Sequence, residues 1–460
     1  MSGLPSFFGR HAPESVVAFG AESVTAHQAR GAVESLVRSL PEARAGERIV
    51  VVCRDRLAFL VSFLGAVRAG YAVSLPANAQ PETIRALRSQ PGVRTVIHDG
   101  EGEAGFDVRE ALSAPTSYDE LAIVIPPERP LVAIHTSGTT GAPKACPKTA
   151  AQLLGEAAAL FAAFPEVEGA RLLAVVPPYH IYGLLFGLLL PTTCGGSFDR
   201  EPAYHALALA DSLRRHEVDM LVSVPAHLRG LRDLGPKELP ALSRVFSSGA
   251  ALAEDSAHRL YERFGWTVTE VLGSTETGGI AHRLSGASGA EPYRLFPGVE
   301  LSLDAEGHMM LESPLLAADA ERPYPHADRA ELLDDGRFLL LGRSDGVIKV
   351  GGTRVALAEI EARLLAIDGV QDAAVLAIEV GGARGFATWA AVVAPERNKA
   401  QLQRALREHL APVVLPRRYR FVDRLPRQES GKLRRADVRA LFDAPQAERA
   451  LSAASEPGHE

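Results

Sequence analysis

Cysteine is scarce in this chain: only Cys53, Cys146 and Cys194 occur in 460 residues. They show neither CxxC nor metal-ligand spacing, which argues against a disulfide scaffold. An excess of positive charge is also missing. The net charge is −7, whereas a general nucleic-acid binder is usually basic. No apolar run is long enough for a membrane span, since the longest, from Tyr182 to Pro191, has roughly half the length required. The N-terminus Met1-Ser2-Gly3-Leu4-Pro5 lacks the basic and apolar regions of a secretion signal, so a cytoplasmic location is expected. With 47% hydrophobic and 23% charged residues the balance is that of a globular protein, and the length predicts two or three domains.

What the chain does have is Thr136-Ser137-Gly138-Thr139-Thr140-Gly141-Ala142-Pro143-Lys144, directly after the apolar run 131–135. Glycines let a backbone approach a ligand closely, and successive N–H groups there form an anion-binding concavity. Four hydroxyls and Lys144 add donors and a positive charge. The run therefore reads as a polyphosphate cradle. Its spacing, Gly138-x-x-Gly141-x-x-Lys144, is not that of a Walker A loop.

Strand-like segments at 49–53, 72–75, 95–98, 131–135, 172–176, 220–224 and 244–246 alternate with helical stretches such as 57–69 and 82–89. This pattern predicts an α/β fold: a large N-terminal domain of mostly parallel sheets covered by helices. After about Pro297 short antiparallel strands are expected at 298–303, 308–312 and 338–341. A small α+β unit follows Arg343, with helices at 357–365 and 399–410 and strands at 373–378 and 388–393. The expected division is a domain at 1–343, a junction at 344–346, a small mobile domain at 347–443 and a frayed tail at 444–460.

Four further segments stand out. Val176-Pro177-Pro178-Tyr179-His180-Ile181-Tyr182-Gly183-Leu184 ends a strand on an aromatic and imidazole pair, although a lone histidine beside apolar residues is more often packed core. Ser247-Ser248-Gly249-Ala250-Ala251-Leu252 reads as a strand-to-helix turn with room for a ligand. Leu272-Gly273-Ser274-Thr275-Glu276-Thr277-Gly278-Gly279 sets a hydroxyl beside a carboxylate, which suits a phosphate and its Mg²⁺ but serves equally as a capped helix start. Leu341-Gly342-Arg343-Ser344-Asp345-Gly346-Val347-Ile348-Lys349-Val350-Gly351-Gly352 crosses the domain junction, where a hinge would be placed.

Together with Leu425-Pro426-Arg427-Gln428-Glu429-Ser430-Gly431-Lys432-Leu433-Arg434, these segments resemble the adenylate-forming superfamily of acyl-CoA synthetases, peptide-synthetase adenylation domains and luciferases. The resemblance spans roughly residues 25–442, with the motifs in the family's order. It implies that the loop from Thr136 to Lys144 holds the β- and γ-phosphates of ATP. Thr275 would contact the α-phosphate, Glu276 would hold Mg²⁺, and Gly249, Leu272, Gly273 and Ser274 would belong to the nucleotide site. Asp328 would bind ribose, though His326-Ala327 replaces the usual Thr-Gly before it; Arg343 would be the second ribose contact and Asp345 the hinge. Lys432 would reach the carboxylate and α-phosphate during adenylation, and His180 would sit between nucleotide and acid. After a domain rotation, Lys349, Gly351 and Gly352 would face the incoming thiol. One departure is Leu272, where the family usually stacks an aromatic ring on adenine.

The implied reaction joins a carboxylate to the α-phosphate of MgATP, releases pyrophosphate, and passes the acyl group to the thiol of CoA or of carrier-protein phosphopantetheine. No acidic residue occurs in 179–190 to bind an α-amine, which disfavours an amino-acid substrate. The expected acid pocket contains His180, Tyr182, Leu185, Val224, Ala250, Gly278 and Ile280, and indicates an aryl or fatty acid. The short N-terminal part and the continuation Ala145-Cys146-Pro147-Lys148-Thr149 resemble stand-alone ligases of aryl-polyene and xanthomonadin-type pathways, which load hydroxybenzoate-like acids onto a carrier protein. Residues 415–440 hold nine basic and three acidic side chains, a face suited to an acidic acyl carrier protein or to CoA phosphates, and equally accounted for as solvated surface. A fatty acyl ligase, a non-catalytic adenylate-binding protein and a luciferase-like oxygenase remain alternatives.

Overall fold

A computed structural model describes residues 3–100, 104–136, 144–201, 205–231, 234–235, 238–343, 347–350, 353–381, 385–428 and 431–443. The chain divides into two compact units. One comprises Met1–Asp345 with Gln428–Lys432, the other Gly346–Arg427 with Leu433–Glu460.

In the large unit, six strands form a sheet in the order Phe106–Asp107, Val93–His98, Arg48–Val52, Ala72–Leu75, Pro130–Thr136, Lys144–Thr149. All neighbours are parallel except the last pair, which is a hairpin. A second sheet of ten strands has a parallel centre built from Arg171–Ala174, Met220–Ser223, Arg244–Ser247 and Val268–Ser274. Its central strands are buried on both faces, as parallel strands usually are. Leu172 and Ala174 enter one core and Leu173 and Val175 the other, following the two-residue alternation of a strand. The first of these cores also takes Val73 and Ile134 from the six-stranded sheet, so one apolar interior joins the two sheets. A third, antiparallel sheet carries Glu300–Leu303, His308–Glu312, Tyr324–Leu332 and Phe338–Arg343.

Helix Ala150–Ala163 starts at once after strand Lys144–Thr149 because Thr149 and Gln152 form a capping box. Gln152 also donates Nε2 to the Leu316 carbonyl at 2.8 Å, which fixes the helix entry on the chain ahead of strand Tyr324–Leu332. The apolar run from Tyr182 to Pro191 is helical, with a π turn at Leu185–Leu189 between Ile181–Leu184 and Leu190–Cys194. Pro191 lacks the N–H that an α-helix would use there, and a local π turn accommodates the gap. Among the described residues no helix is long and apolar enough to cross a membrane.

The small unit has a sheet ordered Thr353–Ala356, Val347–Val350, Gly385–Val393, Asp372–Gly381, with Arg418–Phe421 pairing in parallel on Gly385–Val393. Helices Leu357–Leu365 and Lys399–Arg407 bury Ile360, Leu364, Leu402 and Leu406 in its own core. The expected α/β class, a large domain plus a small one, is the fold observed.

Candidate active site

The glycine-rich loop is rooted in the hairpin of Pro130–Thr136 and Lys144–Thr149, where Thr136 and Lys144 are directly opposite. Thr136 Oγ1 donates to the Lys144 carbonyl at 3.4 Å, so the loop leaves and returns at one point. Ser137, Gly138, Thr139, Thr140 and Gly141 lie outside the described residues, as do Asp345, Gly351 and Gly352. For Arg343 and Lys349 only the backbone is described.

The run from Leu272 to Gly279 is not a helix start. It is the tight turn between strands Val268–Ser274 and Gly278–Gly286. Ser274 and Thr277 tie it shut: each backbone N–H donates to the other's hydroxyl at 3.1 Å. Gly278 takes φ +70°, a left-handed conformation that glycine adopts without strain. Thr275 and Glu276 form the tip, the first buried and the second half-buried. Cys146 Sγ donates to the Thr275 carbonyl at 3.4 Å. Lys148 Nζ donates to the carbonyls of Glu276 at 2.9 Å and Leu315 at 3.0 Å. The strand that closes the glycine-rich loop is thus bonded to the Thr275-Glu276 turn.

Two more expected elements meet the same strands. Ser248 Oγ donates to the Val271 carbonyl at 2.8 Å, and buried Glu270 accepts the Leu252 N–H at 2.9 Å. These bonds hold the segment of Gly249 and Ala250, both exposed, beside the strand that ends in Ser274. The segment joins strand Arg244–Ser247 to the helix that begins at Glu254, the strand-to-helix turn expected. Asp328 is buried, and in the third sheet it stands directly opposite Arg343, the other expected ribose contact. His326 Nδ1 lies 3.5 Å from Asp328 Oδ2. Leu272 is half-buried and packs on the main core.

His180 stands at the N-terminal cap position of helix Ile181–Leu184, makes no capping bond with its side chain, and sets its ring edge-on to Tyr179 at 4.8 Å. Gly183 permits that sharp entry, because a Cβ there would lie 2.1 Å from the Pro177 carbonyl oxygen. Tyr182 packs against both cores of the large unit, one containing Leu185 and Ile280 and the other Val224. Gly431 lies on Val224, where an added Cβ would approach its Cγ2 to 3.1 Å. Burial, and behind it the charge of Lys432, pull the His180 imidazole down to about 4. The expected lysine and histidine are therefore electrostatic neighbours within the large unit.

His282 is likewise lowered to about 4, first by burial and then by Arg294 and Arg244. Folded pKa values below the unfolded value mean that the unfolded chain binds protons first as pH falls. Stability from these neutral imidazoles is complete above about pH 6.5 and is lost as pH falls towards 4. His282 packs edge-on to Phe164, so His282→Phe is expected to reduce the drop in urea midpoint between pH 7 and 4.5. An undiminished drop would contradict this assignment.

Lys148, Glu156 and Glu270 were not anticipated from sequence. Lys148 is 3% and Glu156 5% exposed. Glu156 Oε1 accepts the Gly279 N–H at 2.6 Å. Burial raises the Glu156 carboxyl to about 7, against the opposing effects of that bond and of Lys148. A lysine in a strand next to a helix with a lone apolar-face glutamate is the signal that sequence offers.

Residues 8–310 match the family model of the AMP-binding enzymes, and 359–432 match the model of the AMP-binding enzyme C-terminal domain. A sulfoacetate–CoA ligase of Cupriavidus necator is 29% identical, over 81% of this chain and 83% of the relative. A 4-coumarate–CoA ligase of Rhodobacter capsulatus is 33% identical, over 65% and 74% respectively. In fold the chain is similar to the ATP-bound MatB of Rhodopseudomonas palustris, with TM-score 0.78 at 21% identity, covering 94% of this chain and 96% of that one. The chain belongs to the AMP-binding enzymes, the adenylate-forming superfamily. It is an AMP-forming ligase of the acyl-CoA synthetase type.

Proposed function

We propose that the protein activates a hydroxybenzoate-like aryl carboxylic acid with MgATP to an acyl-adenylate and transfers the acyl group to the phosphopantetheine thiol of an acyl carrier protein, or to CoA. The observation that carries this reading is the bonding of Cys146 and Lys148, on the strand closing the glycine-rich loop, to the carbonyls of Thr275 and Glu276. It joins the strand that follows the glycine-rich run to the turn that carries a hydroxyl and a carboxylate, and the N–H and hydroxyl donors of that run together with these two groups are what a triphosphate and its cation need.

In this reading the loop from Thr136 to Lys144 holds the departing pyrophosphate and Thr275 meets the α-phosphate. Asp328 and Arg343 bind ribose from their opposed strand positions. Glu276 fits a hard cation: the bond from Lys148 goes to its backbone carbonyl and does not consume the carboxylate. Bound there, Mg²⁺ neutralises phosphate charge. Lys432 stabilises charge where carboxylate and α-phosphate meet, and the low pKa of His180 keeps its imidazole neutral beside that lysine. Tyr182, Val224, Ala250, Gly278 and Ile280 shape the acid pocket. Movement about Asp345 then brings Lys349, Gly351 and Gly352 to the thiol. Support for an aryl acid comes from the 4-coumarate ligase relative and from the absence of an acidic side chain in 179–190.

Pyrophosphate exchange over a panel of benzoates, fatty acids and sulfonated acids tests the substrate class. Hydroxybenzoates should respond most strongly. A response confined to fatty or sulfonated acids would overturn the aryl reading, and faster turnover with CoA than with a holo-carrier protein would overturn the carrier preference. Leu272→Tyr restores a ring where adenine is expected to stack, an interaction worth ~1 kcal/mol, and should lower the ATP KM about fivefold. An unchanged KM would count against placing adenine at Leu272.

A further inference from the structure

Lys148 and Glu156 are ionisable side chains of opposite type buried on two sides of one turn. Lys148 lies in strand Lys144–Thr149 of the six-stranded sheet, and its two bonds end on the Glu276 and Leu315 carbonyls. Glu156 lies in helix Ala150–Ala163 and reaches the other side, where Oε1 accepts the Gly279 N–H. Its second oxygen occupies the space beside Gly278: a Cβ on Gly278 would fall 2.9 Å from Oε2, and one on Gly279 would fall 3.2 Å from Oε1. The two consecutive glycines thus admit the carboxylate against the backbone, and any side chain there would push it out. The turn itself belongs to the ten-stranded sheet, so Lys148 links the two sheets and Glu156 ties helix Ala150–Ala163 to the same turn, where Thr275 and Glu276 are presented.

Burying charge is unfavourable unless each ion is paired and hydrogen-bonded, and a buried pair is seldom better for stability than apolar side chains of similar volume. Both side chains here reach backbone groups of the same short segment, Lys148 the Glu276 carbonyl and Glu156 the Gly279 N–H, and each acts on the other electrostatically across it. That arrangement restricts where the turn sits rather than adding much to folding.

We infer that Lys148 and Glu156 are positioning residues for adenylation, gripping the turn from Ser274 to Gly279 from inside so that Thr275 and Glu276 meet MgATP in register. The inference rests on the reading that this turn receives the α-phosphate and its cation. Neither side chain touches the acid or the thiol in this scheme, so the consequence is selective. Loosening the turn weakens MgATP binding and slows the adenylation half-reaction, and it leaves thioester formation from a supplied acyl-adenylate near its original rate. Acid binding stays near its original value when Lys148 is changed, whereas loss of Glu156, which lies against Gly278 of the expected acid pocket, affects acid binding as well.

The test compares Lys148→Met, Lys148→Arg, Glu156→Ala and Glu156→Gln with the unsubstituted protein, using MgATP binding by calorimetry and both half-reactions. Lys148→Met and Glu156→Ala should each weaken MgATP binding and raise the MgATP KM in pyrophosphate exchange by about tenfold or more, and in Lys148→Met the acid KM should change less than about threefold. Lys148→Arg keeps donors for the two carbonyls and Glu156→Gln keeps an acceptor for the Gly279 N–H, so each should recover most of the loss. Equal losses in the MgATP and acid constants and in both half-reactions of Lys148→Met would mark the pair as merely structural and overturn the inference. So would full MgATP affinity in a folded Lys148→Met or Glu156→Ala protein. If those two do not fold, the conservative variants decide: an MgATP constant unchanged from the original together with an altered acid constant overturns the inference. Failure of the unsubstituted protein to bind MgATP or to exchange pyrophosphate with any acid would instead overturn the reading of the site itself.

Discussion

Lys432→Ala should lower acid-dependent pyrophosphate exchange by at least about a hundredfold, the scale observed when one preorganised charge-stabilising donor is removed from a transition state. The thioester half-reaction, started from a supplied acyl-adenylate, should keep its rate within about threefold. The geometry supports this division. Gly431 rests on Val224 of the expected acid pocket, and the Lys432 charge is felt by His180. A second readout is independent of turnover. Burial is the larger cause of the low His180 pKa and Lys432 the smaller, so the alanine variant should raise that pKa above about 4 while leaving it below 6.5. Equal loss in both half-reactions would overturn the assignment of Lys432 to adenylation, as would a His180 titration that does not move.

Glu276→Gln should be nearly as damaging, with exchange reduced roughly a hundredfold and the Mg²⁺ concentration for half-maximal rate raised about tenfold. The amide keeps the size of the side chain and removes its charge. Because Lys148 bonds the Glu276 carbonyl and the Ser274–Thr277 bonds close the turn, the backbone has no reason to move. The melting temperature should therefore shift by no more than about 2 °C. A large loss of stability with an unchanged Mg²⁺ requirement would show that the carboxylate is structural. Lys148→Met differs in kind, since it releases the turn and leaves the charge at its tip in place.

Much of this site is legible in sequence because its signals are local. A glycine and hydroxyl run after an apolar strand points to a phosphate loop, whose residues 137–143 lie outside the described ones, and Thr275-Glu276 pairs the groups that a phosphate and cation need. The alternation of Leu172 to Val175 and the strand from His308 to Glu312 follow from two-residue periodicity. Other features depend on partners far along the chain. Whether Leu272 to Gly279 begins a helix or turns a hairpin is decided by the pairing of Val268–Ser274 with Gly278–Gly286, not by its own residues. The facing of Asp328 and Arg343 is a matter of strand register. Lys148 and Glu156 carry only a faint local signal, a lysine in a strand and a glutamate among apolar helix residues, because each completes its hydrogen bonds on backbone more than a hundred residues away. The π turn at Leu185–Leu189 looks in sequence like a plain apolar run, with Pro191 as its one irregularity.

The measurement closest to the central claim is product analysis of the protein incubated with MgATP and a hydroxybenzoate in the absence of thiol. Acid-dependent release of pyrophosphate is expected, with an enzyme-held acyl-adenylate detectable by mass spectrometry that yields AMP and a thioester once CoA or a holo-carrier protein is added. Formation of ADP and phosphate, or release of pyrophosphate that does not depend on any acid, would contradict it.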